Sequence, residues 1–301
     1  MLAEVRALAI APVAGIPIVH ELADGIELER RDAVEWAGTG VASDPVVIRH
    51  ELGDARPTAM RPMLDVPPWC TFYLDERGEP ASLFRPVFGE VDRLLTCEQP
   101  GATYIVRYGA RPSGRVVALQ SELTTFSFAL AARGTGLIAH SCAFIAPNGG
   151  AVLCPGVSGT GKTTLARLLA EHGPAVSILT DDRAIVTTTE HGVDVWGSPW
   201  PGAACIAGTA SAALSTVVFI RHGPECGVRH VRPGEAFRRI VHTLSMPLWE
   251  PARCGTALGV VDAIVSQSRL LEVAFPPTPQ GVEWVIDMVE QSEPLGRDAR
   301  R

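Results

Sequence analysis

The chain has 301 residues, of which 47% are hydrophobic and 20% are charged, a balance typical of a folded globular protein rather than a disordered one. Its formal net charge of −7 is spread along the chain without a long run of like charges, which disfavours nucleic-acid binding. No apolar run approaches the roughly 20 residues that span a bilayer, and the seven cysteines are scattered, so we expect a cytoplasmic protein without a membrane partner.

Residues 1–121 carry short β-rich segments separated by glycine, proline and aspartate, and this pattern predicts a mostly β N-terminal domain. Segment 102–108 alternates with a period of two, which predicts a half-buried antiparallel strand. The domain has no phosphate-binding loop. The segments with the strongest strand pattern are GIPIVHEL, PVVIRHEL, ATYIVRYGA and GRVVALQ.

Residues 122–293 are predicted to form a second domain that mixes helices and strands, and 294–301 a flexible tail. Segment 122–136 predicts a helix that stops at a glycine. Segment 137–155 predicts two strands joined by a Pro-Asn-Gly-Gly turn, and the following KTTLARLLAEHG predicts a helix that ends at Gly173. Further predicted elements are a strand at AVSIL, a hairpin that turns at 190–192, a strand at STVVFI, and helices at GEAFRRIVHTLSM and GVEWVIDMVEQ.

Residues 156–163, GVSGTGKT, satisfy the pattern G-x-x-x-x-G-K-[ST] in full, between a strand and a helix. The glycines allow backbone N–H groups to surround an anion, and the helix N-terminus adds its positive end. Lys162 is the only lysine of the chain, and its compact ammonium fits a narrow loop where an arginine fork does not. The pattern predicts ATP and Mg²⁺ as ligands, with Lys162 on the β- and γ-phosphates and the Thr163 hydroxyl on the metal. A glycine-rich turn that binds no nucleotide is the alternative. The residues predicted to bind the nucleotide here are Gly156, Ser158, Gly159, Thr160, Gly161, Lys162, Thr163 and Thr164.

Asp181 and Asp182 follow the apolar segment AVSIL, and a parallel strand would bring them beside the phosphate loop. One carboxylate can orient Mg²⁺ while the other takes a proton from an incoming hydroxyl. Adjacent side chains of a strand point to opposite faces, so both can act only if the strand ends or bends there. A solvated turn at a strand end is the alternative.

These segments together resemble the HPr kinase/phosphorylase family and the wider set of HPr-kinase-like kinases, which are related in fold to phosphoenolpyruvate carboxykinase. The resemblance covers roughly residues 125–290 and rests on HSCAFIA, GVSGTGKTTLA, LTDDRAIV, and VWGSPWPG followed by LSTVVFI. It implies an α/β (α+β) fold with a P-loop kinase domain of this type and a mostly β N-terminal domain. It also implies a homo-oligomer.

The resemblance assigns roles to individual residues. It implies that His140 lies near the transferred phosphate, that Asp181 is the catalytic base and that Asp182 is a metal ligand. Arg183 matches the arginine that follows the family's aspartates and is expected to bind the nucleotide, while Lys162 completes the catalytic set. Without the resemblance, His140 would be interpreted as an ordinary histidine at a strand end.

Two departures narrow what the resemblance implies. Thr164 stands where HPr kinases carry a glutamate, and no stretch matches their C-terminal signature, so HPr recognition and phosphorolysis are not implied. Similarity to the HPr-kinase-like enzymes of peptide natural-product gene clusters implies a hydroxyl acceptor: a serine of a peptide or protein, or a small molecule.

The same motifs leave other functions open besides a hydroxyl kinase. A non-catalytic ATP-binding regulatory or scaffold protein is the main alternative. A GTPase and a carboxykinase are disfavoured because both need further lysines. The arginine-rich segment 221–239 is interpreted either as a lid over phosphates or as a solvated basic face.

Overall fold

The computed structural model describes four stretches of the chain: residues 6–29, 44–85, 91–245 and 250–291. The predicted tail 294–301 lies outside them. The chain divides into two compact units of two segments each: Met1–Gly134 with Met246–Gly255, and Thr135–Ser245 with Thr256–Arg301. Each unit has its own large sheet, so the architecture is mixed α/β with strands predominating. Within the described stretches, no helix combines the length and the apolar character needed to cross a bilayer.

The first unit is built on an eight-stranded sheet. Its elements in chain order are β1 (Arg6–Val13), β2 (Ile16–Leu22), β3 (Leu28–Glu29), β4 (Val46–Leu52), β5 (Arg61–Val66), β6 (Cys70–Leu74), β7 (Pro80–Phe84), β8 (Arg93–Gln99), β9 (Thr103–Tyr108), β10 (Val116–Val117) and α1 (Leu119–Arg133). The strand order is β1-β2-β4-β9-β8-β7-β6-β5. The β2–β4 and β4–β9 pairs are parallel and the others are antiparallel.

Three predictions for this unit needed correction. Strand β9, the predicted half-buried strand, lies between β4 and β8 with five of its six residues buried, so its alternating pattern did not indicate a solvated face. In GRVVALQ only Val116–Val117 is extended, because helix α1 begins at Leu119. Strands β1, β3 and β5 to β8 were not predicted. The helix predicted at 122–136 is α1; it ends at the left-handed Gly134 as expected and belongs to the first unit.

A buried polar network joins β2, β4, β9 and α1 inside this unit. His20 Nδ1 lies 2.9 Å from His50 Nε2, and His50 Nδ1 lies 2.8 Å from the hydroxyl of Tyr108. The other ring nitrogen of His20 is 3.1 Å from a carboxylate oxygen of Glu122. Burial lowers the pKa of His50 well below its ordinary value, and the electrostatic effects of the neighbouring His20 and Arg93 act in the same direction. We refer to His20, His50, Tyr108 and Glu122 as the buried network.

The elements that follow α1 are β11 (Gly136–Ile145), β12 (Ala151–Pro155), α2 (Lys162–His172), β13 (Ser177–Thr180), β14 (Arg183–Thr189), β15 (Gly192–Trp196), β16 (Ser211–His222), β17 (Gly227–His230), α3 (Pro233–Val241), α4 (Pro251–Gln267), β18 (Arg269–Phe275) and α5 (Pro279–Glu290). The sheet of the second unit has the order β12-β11-β14-β15-β16-β18-β17, with β13 paired to β11. A parallel β12–β16 pairing closes five of these strands into a ring.

Helices α2 and α5 pack against each other and bury their apolar faces on this sheet. In α2, the leucines 165 and 169 are buried, as the spacing of its apolar residues predicts. The Gly173 N–H donates to the Leu169 carbonyl oxygen and ends the helix. In α5, the side chain of Thr278 accepts from Gly281 N–H and begins the helix. This packing holds β12 and α2, and therefore the loop between them, on a rigid base.

Most elements predicted for this part of the chain are confirmed, including the strand pair β11–β12, the hairpin β14–β15, and helices α2, α3 and α5. The aspartate pair follows strand β13, which pairs antiparallel with β11, as β12 does. Strand β13 therefore runs in the same direction as β12, as the prediction of a parallel strand required. Elements α4, β17 and β18 were not predicted.

Candidate functional site

The loop between β12 and α2 has a shape that only its glycines allow. Gly159 and Gly161 adopt left-handed backbone conformations with φ of 86° and 99°. A Cβ on Gly156 would lie 2.4 Å from Oγ1 of Thr160, and that hydroxyl donates to the Val157 carbonyl oxygen at 2.9 Å. The loop leads directly into the N-terminus of α2, which is an anion-binding end.

Lys162, the first residue of α2, turns its side chain back into this loop. The ammonium Nζ donates to the carbonyl oxygens of Gly156 at 2.6 Å and Val157 at 2.9 Å, and the residue is only 5% exposed. Burial lowers the pKa of Lys162, while the nearby carboxylate of Asp182 opposes that shift. A phosphate that enters the loop would offer this ammonium stronger, charged acceptors than the two carbonyls.

The hydroxyl residues of the loop are accessible to a ligand. Ser158 and Thr164 are exposed, and Thr163 is half-buried in the first turn of α2. No group of three or more His, Cys, Asp or Glu side chains in the described stretches is arranged to hold a metal ion. Mg²⁺ is commonly bound by one or two protein groups together with substrate phosphates and water. Thr163 and Asp182 fit such a partial site.

The bend between β13 and β14 brings Asp182 against His140. His140 lies in β11 directly opposite Arg183, the first residue of β14. Its Nδ1 is 3.1 Å from Oδ1 of Asp182, and the Arg183 guanidinium contacts the other oxygen of the same carboxylate. All three side chains are half-buried. The sequence required the strand to end or bend at the two aspartates if both were to act. The chain does bend there, between β13 and β14, and the bend turns Asp182 toward His140.

Backbone hydrogen bonds connect this pair to the phosphate loop. The Gly156 N–H donates to the carbonyl oxygen of His140 at 3.1 Å. The N–H of the next residue, Ser141, donates to the carbonyl oxygen of Asp182 at 2.8 Å. One short piece of β11 thus holds the start of the loop on one side and the aspartate bend on the other.

The surroundings of His140 favour its neutral form. Burial lowers its pKa most, and the positive charges of Lys162 and Arg183 add to this, while the Asp182 carboxylate opposes them. The carboxylate beside Nδ1 favours the tautomer that carries its proton there. In that tautomer Nε2 is left as a hydrogen-bond acceptor.

Asp181 lies in a different environment from its neighbour. It is 1% exposed, and its two carboxylate oxygens each accept a backbone N–H at 2.7 Å, from Gly202 and from Ala204. A Cβ on Gly202 would lie 2.5 Å from the Cβ of Asp182, so a glycine is needed at this position. In this structure Asp181 anchors a turn, and Asp182 has the more accessible carboxylate of the two.

The anchored turn, residues 200–205, is also held from α2. The Arg167 guanidinium donates to the Ala203 carbonyl oxygen at 2.9 Å. Trp200 is buried, so the WGSPWPG segment forms a packed turn beside the aspartate bend. This packed turn lies next to the site, because its backbone N–H groups bind Asp181.

The structure thus brings together the loop residues, Lys162, His140, Asp182 and Arg183. Sequence reasoning missed Gly202 and Ala204, whose backbone groups carry no signal in the sequence. His222 was predicted only as part of the segment 221–239, interpreted as a lid over phosphates or a solvated face; it ends β16, and its Nε2 lies 3.0 Å from the carbonyl oxygen of Gly159. Its position at the end of an apolar strand was the available signal.

No model of a known protein family matches the chain, and no curated protein is similar enough to it to count as a match.

Proposed function

We propose that the chain is a Mg²⁺- and ATP-dependent kinase that transfers the γ-phosphate of ATP to a hydroxyl group. Its second unit would be a P-loop kinase domain of the type found in HPr kinase and phosphoenolpyruvate carboxykinase. The observation that carries the proposal is the pair of backbone hydrogen bonds by which His140 and Ser141 join the phosphate loop to the aspartate bend. They set a phosphate-binding loop beside a histidine–carboxylate pair, a combination that suits phosphoryl transfer to a hydroxyl.

The binding roles follow from the loop. Lys162 and the N–H groups at the start of α2 would hold the β- and γ-phosphates, and the Thr163 hydroxyl and Asp182 would hold Mg²⁺. Arg183 lies against Asp182 and would add positive charge next to the transferred group. The metal, when bound, supplies charge neutralisation between the phosphates.

The proton of the acceptor hydroxyl has two candidate receivers. Asp181 is buried, and each of its oxygens already accepts a backbone N–H. Asp182 is half-buried and contacts His140. The Asp182 carboxylate contacts both His140 and Arg183 and would also hold Mg²⁺, so the geometry favours Nε2 of His140 as the atom that receives the proton, with Asp182 orienting the ring. It favours Asp181 as the anchor of the 200–205 turn.

The acceptor proposed is a serine of a peptide or protein, with a small-molecule hydroxyl as the other chemistry open to the same site. This choice rests on the resemblance to kinases of peptide natural-product clusters. A cytoplasmic location, where ATP is available and thiols stay reduced, agrees with the free cysteines among the described residues. A homo-oligomer is part of the same proposal.

Nucleotide binding is tested by titration calorimetry with Mg·ATP. Lys162→Ala removes the ammonium from the loop and is expected to weaken ATP binding about tenfold to a hundredfold, because a charged hydrogen-bond donor to phosphate is lost. Arg269→Ala is the matched control, since it removes a partly exposed cation from the same unit at the start of β18, the opposite edge of the sheet from the loop. Equal affinities for the parent and Lys162→Ala would contradict the assignment of the loop.

Catalysis is separated from mere binding by acceptor-dependent ADP formation. The parent is expected to form ADP faster when a suitable acceptor is added. Asp182→Asn is expected to lose at least about a hundredfold in that rate while it still binds ATP. A parent that binds Mg·ATP but shows no acceptor-dependent turnover would favour a regulatory or scaffold protein instead.

A further inference from the structure

Strand β16 ends beside the phosphate loop. It runs parallel to β12, the strand that leads into the loop, so their carboxyl ends lie at the same edge of the sheet. The loop 156–161 follows β12 and so begins at this same edge. The last residue of β16 is His222, whose side chain is exposed to solvent.

The imidazole of His222 contacts the loop through one hydrogen bond. Its Nε2 is 3.0 Å from the carbonyl oxygen of Gly159. A Cβ added to Gly161 would lie 3.6 Å from Cε1 of His222 and 3.4 Å from Cγ2 of Ile220. The ring therefore lies next to both left-handed glycines.

These two glycines are the part of the loop with the greatest conformational freedom. Glycine populates left-handed and right-handed backbone conformations with similar ease, so an unsupported Gly159–Gly161 segment would sample several arrangements. A hydrogen bond to the Gly159 carbonyl oxygen fixes the orientation of that peptide group. It thereby fixes the direction of the N–H on the other side of the same peptide bond, that of Thr160.

His222 is the donor of this hydrogen bond. The Gly159 carbonyl oxygen can only accept, so the imidazole must carry a hydrogen on Nε2.

We propose that His222 is a positioning residue that preforms the phosphate loop for ATP by holding the Gly159 peptide. The inference rests on the proposed function, because it concerns the nucleotide of the same site. A variant without His222 keeps the loop sequence and Lys162. Its loop must, however, become ordered when the nucleotide binds, and this ordering weakens the binding.

The test compares the Mg·ATP affinities of the parent, His222→Ala and His222→Gln by titration calorimetry. Loss of one hydrogen bond of this kind corresponds to an affinity about threefold to tenfold weaker for His222→Ala. His222→Gln keeps an amide N–H donor and is expected to recover at least half of that loss on a logarithmic scale. His191→Ala, which removes an exposed histidine in the turn between β14 and β15, is the matched control and is expected to bind like the parent.

A second measurement distinguishes positioning from a general loss of structure. Hydrogen exchange of loop residues 156–161 without nucleotide is expected to speed up in His222→Ala and to match the parent in His191→Ala. In turnover, the KM for ATP is expected to rise by a similar threefold to tenfold while kcat changes little.

Several outcomes would overturn the inference. If His222→Ala binds ATP and exchanges its loop hydrogens like the parent, His222 does not position the loop, and the kinase proposal is unaffected. If all three variants lose affinity equally, the effect is not specific to this contact. If the parent itself does not bind Mg·ATP, the proposed function fails and this inference fails with it.

Discussion

Replacing Asp181 with asparagine converts one oxygen of a buried carboxylate into an NH₂ group. The two oxygens of Asp181 each accept one backbone N–H at 2.7 Å, from Gly202 and Ala204. Asparagine can accept only one of them, and its own N–H groups face the other. A hydrogen bond to a charged group contributes about 1.5–3 kcal/mol, and an unpaired buried N–H costs about 1–3 kcal/mol. We expect Asp181→Asn to lower the free energy of unfolding of the second unit by about 3 kcal/mol.

The assay is urea unfolding read by pulsed hydrogen exchange and mass spectrometry, which reports peptides of the second unit separately from those of the first. Asp182→Asn is the control, since its half-buried ion pairs contribute about 1 kcal/mol or less. In native exchange, the amide hydrogens of Gly202 and Ala204 are expected to be released faster in Asp181→Asn only. Equal destabilisation by both variants, or parent-like exchange at these two amides in Asp181→Asn, would refute the anchoring role.

Three further outcomes are expected. Gly202→Ala should destabilise the second unit by about 1–3 kcal/mol in urea unfolding, because the new Cβ would lie 2.5 Å from the Cβ of Asp182; parent-like stability would contradict this packing. Arg167→Ala should lower the free energy of unfolding by only about 0.5–1 kcal/mol in the same assay, because water can replace its exposed hydrogen bond to Ala203. A loss as large as that of Gly202→Ala would contradict this minor role of Arg167. In urea unfolding at a series of pH values, the free energy of unfolding of the first unit should fall by about 1.4 kcal/mol per pH unit below about pH 6.5. The reason is that His50 takes up a proton in the unfolded chain, whereas burial in the folded chain disfavours its charged form. His50→Gln should remove that slope, and an unchanged slope would contradict this reasoning.

The sequence correctly predicted those elements whose conformation depends on residues close to one another in the chain. The loop 156–163 needs glycines wherever its backbone turns left-handed, and its helix needs one apolar face, so both can be found in the sequence. The hairpin at 190–192 likewise carries its own turn signal. Strand β9 shows the limit of such patterns, because its neighbours on both sides, rather than its own alternation, decide that it is buried.

The roles of the two aspartates could not be separated from the sequence. Asp181 and Asp182 are chemically identical and adjacent, and what distinguishes them is a turn twenty residues later whose backbone N–H groups meet only one of them. The contact of His222 with Gly159 spans 63 residues and depends on the pairing of β16 with β12. Long-range pairing of this kind leaves no local signal, so the candidate residues could be predicted while their partners could not.

The most direct test of the proposed kinase is mass spectrometry of candidate acceptors after incubation with the protein and Mg·ATP. Serine-containing peptides, proteins and small hydroxyl compounds form the panel, and Asp182→Asn is run beside the parent. The proposal predicts that one acceptor gains the mass of a single phosphoryl group with the parent and none with Asp182→Asn. A parent that binds Mg·ATP tightly and transfers no phosphoryl group to any member of the panel would contradict it.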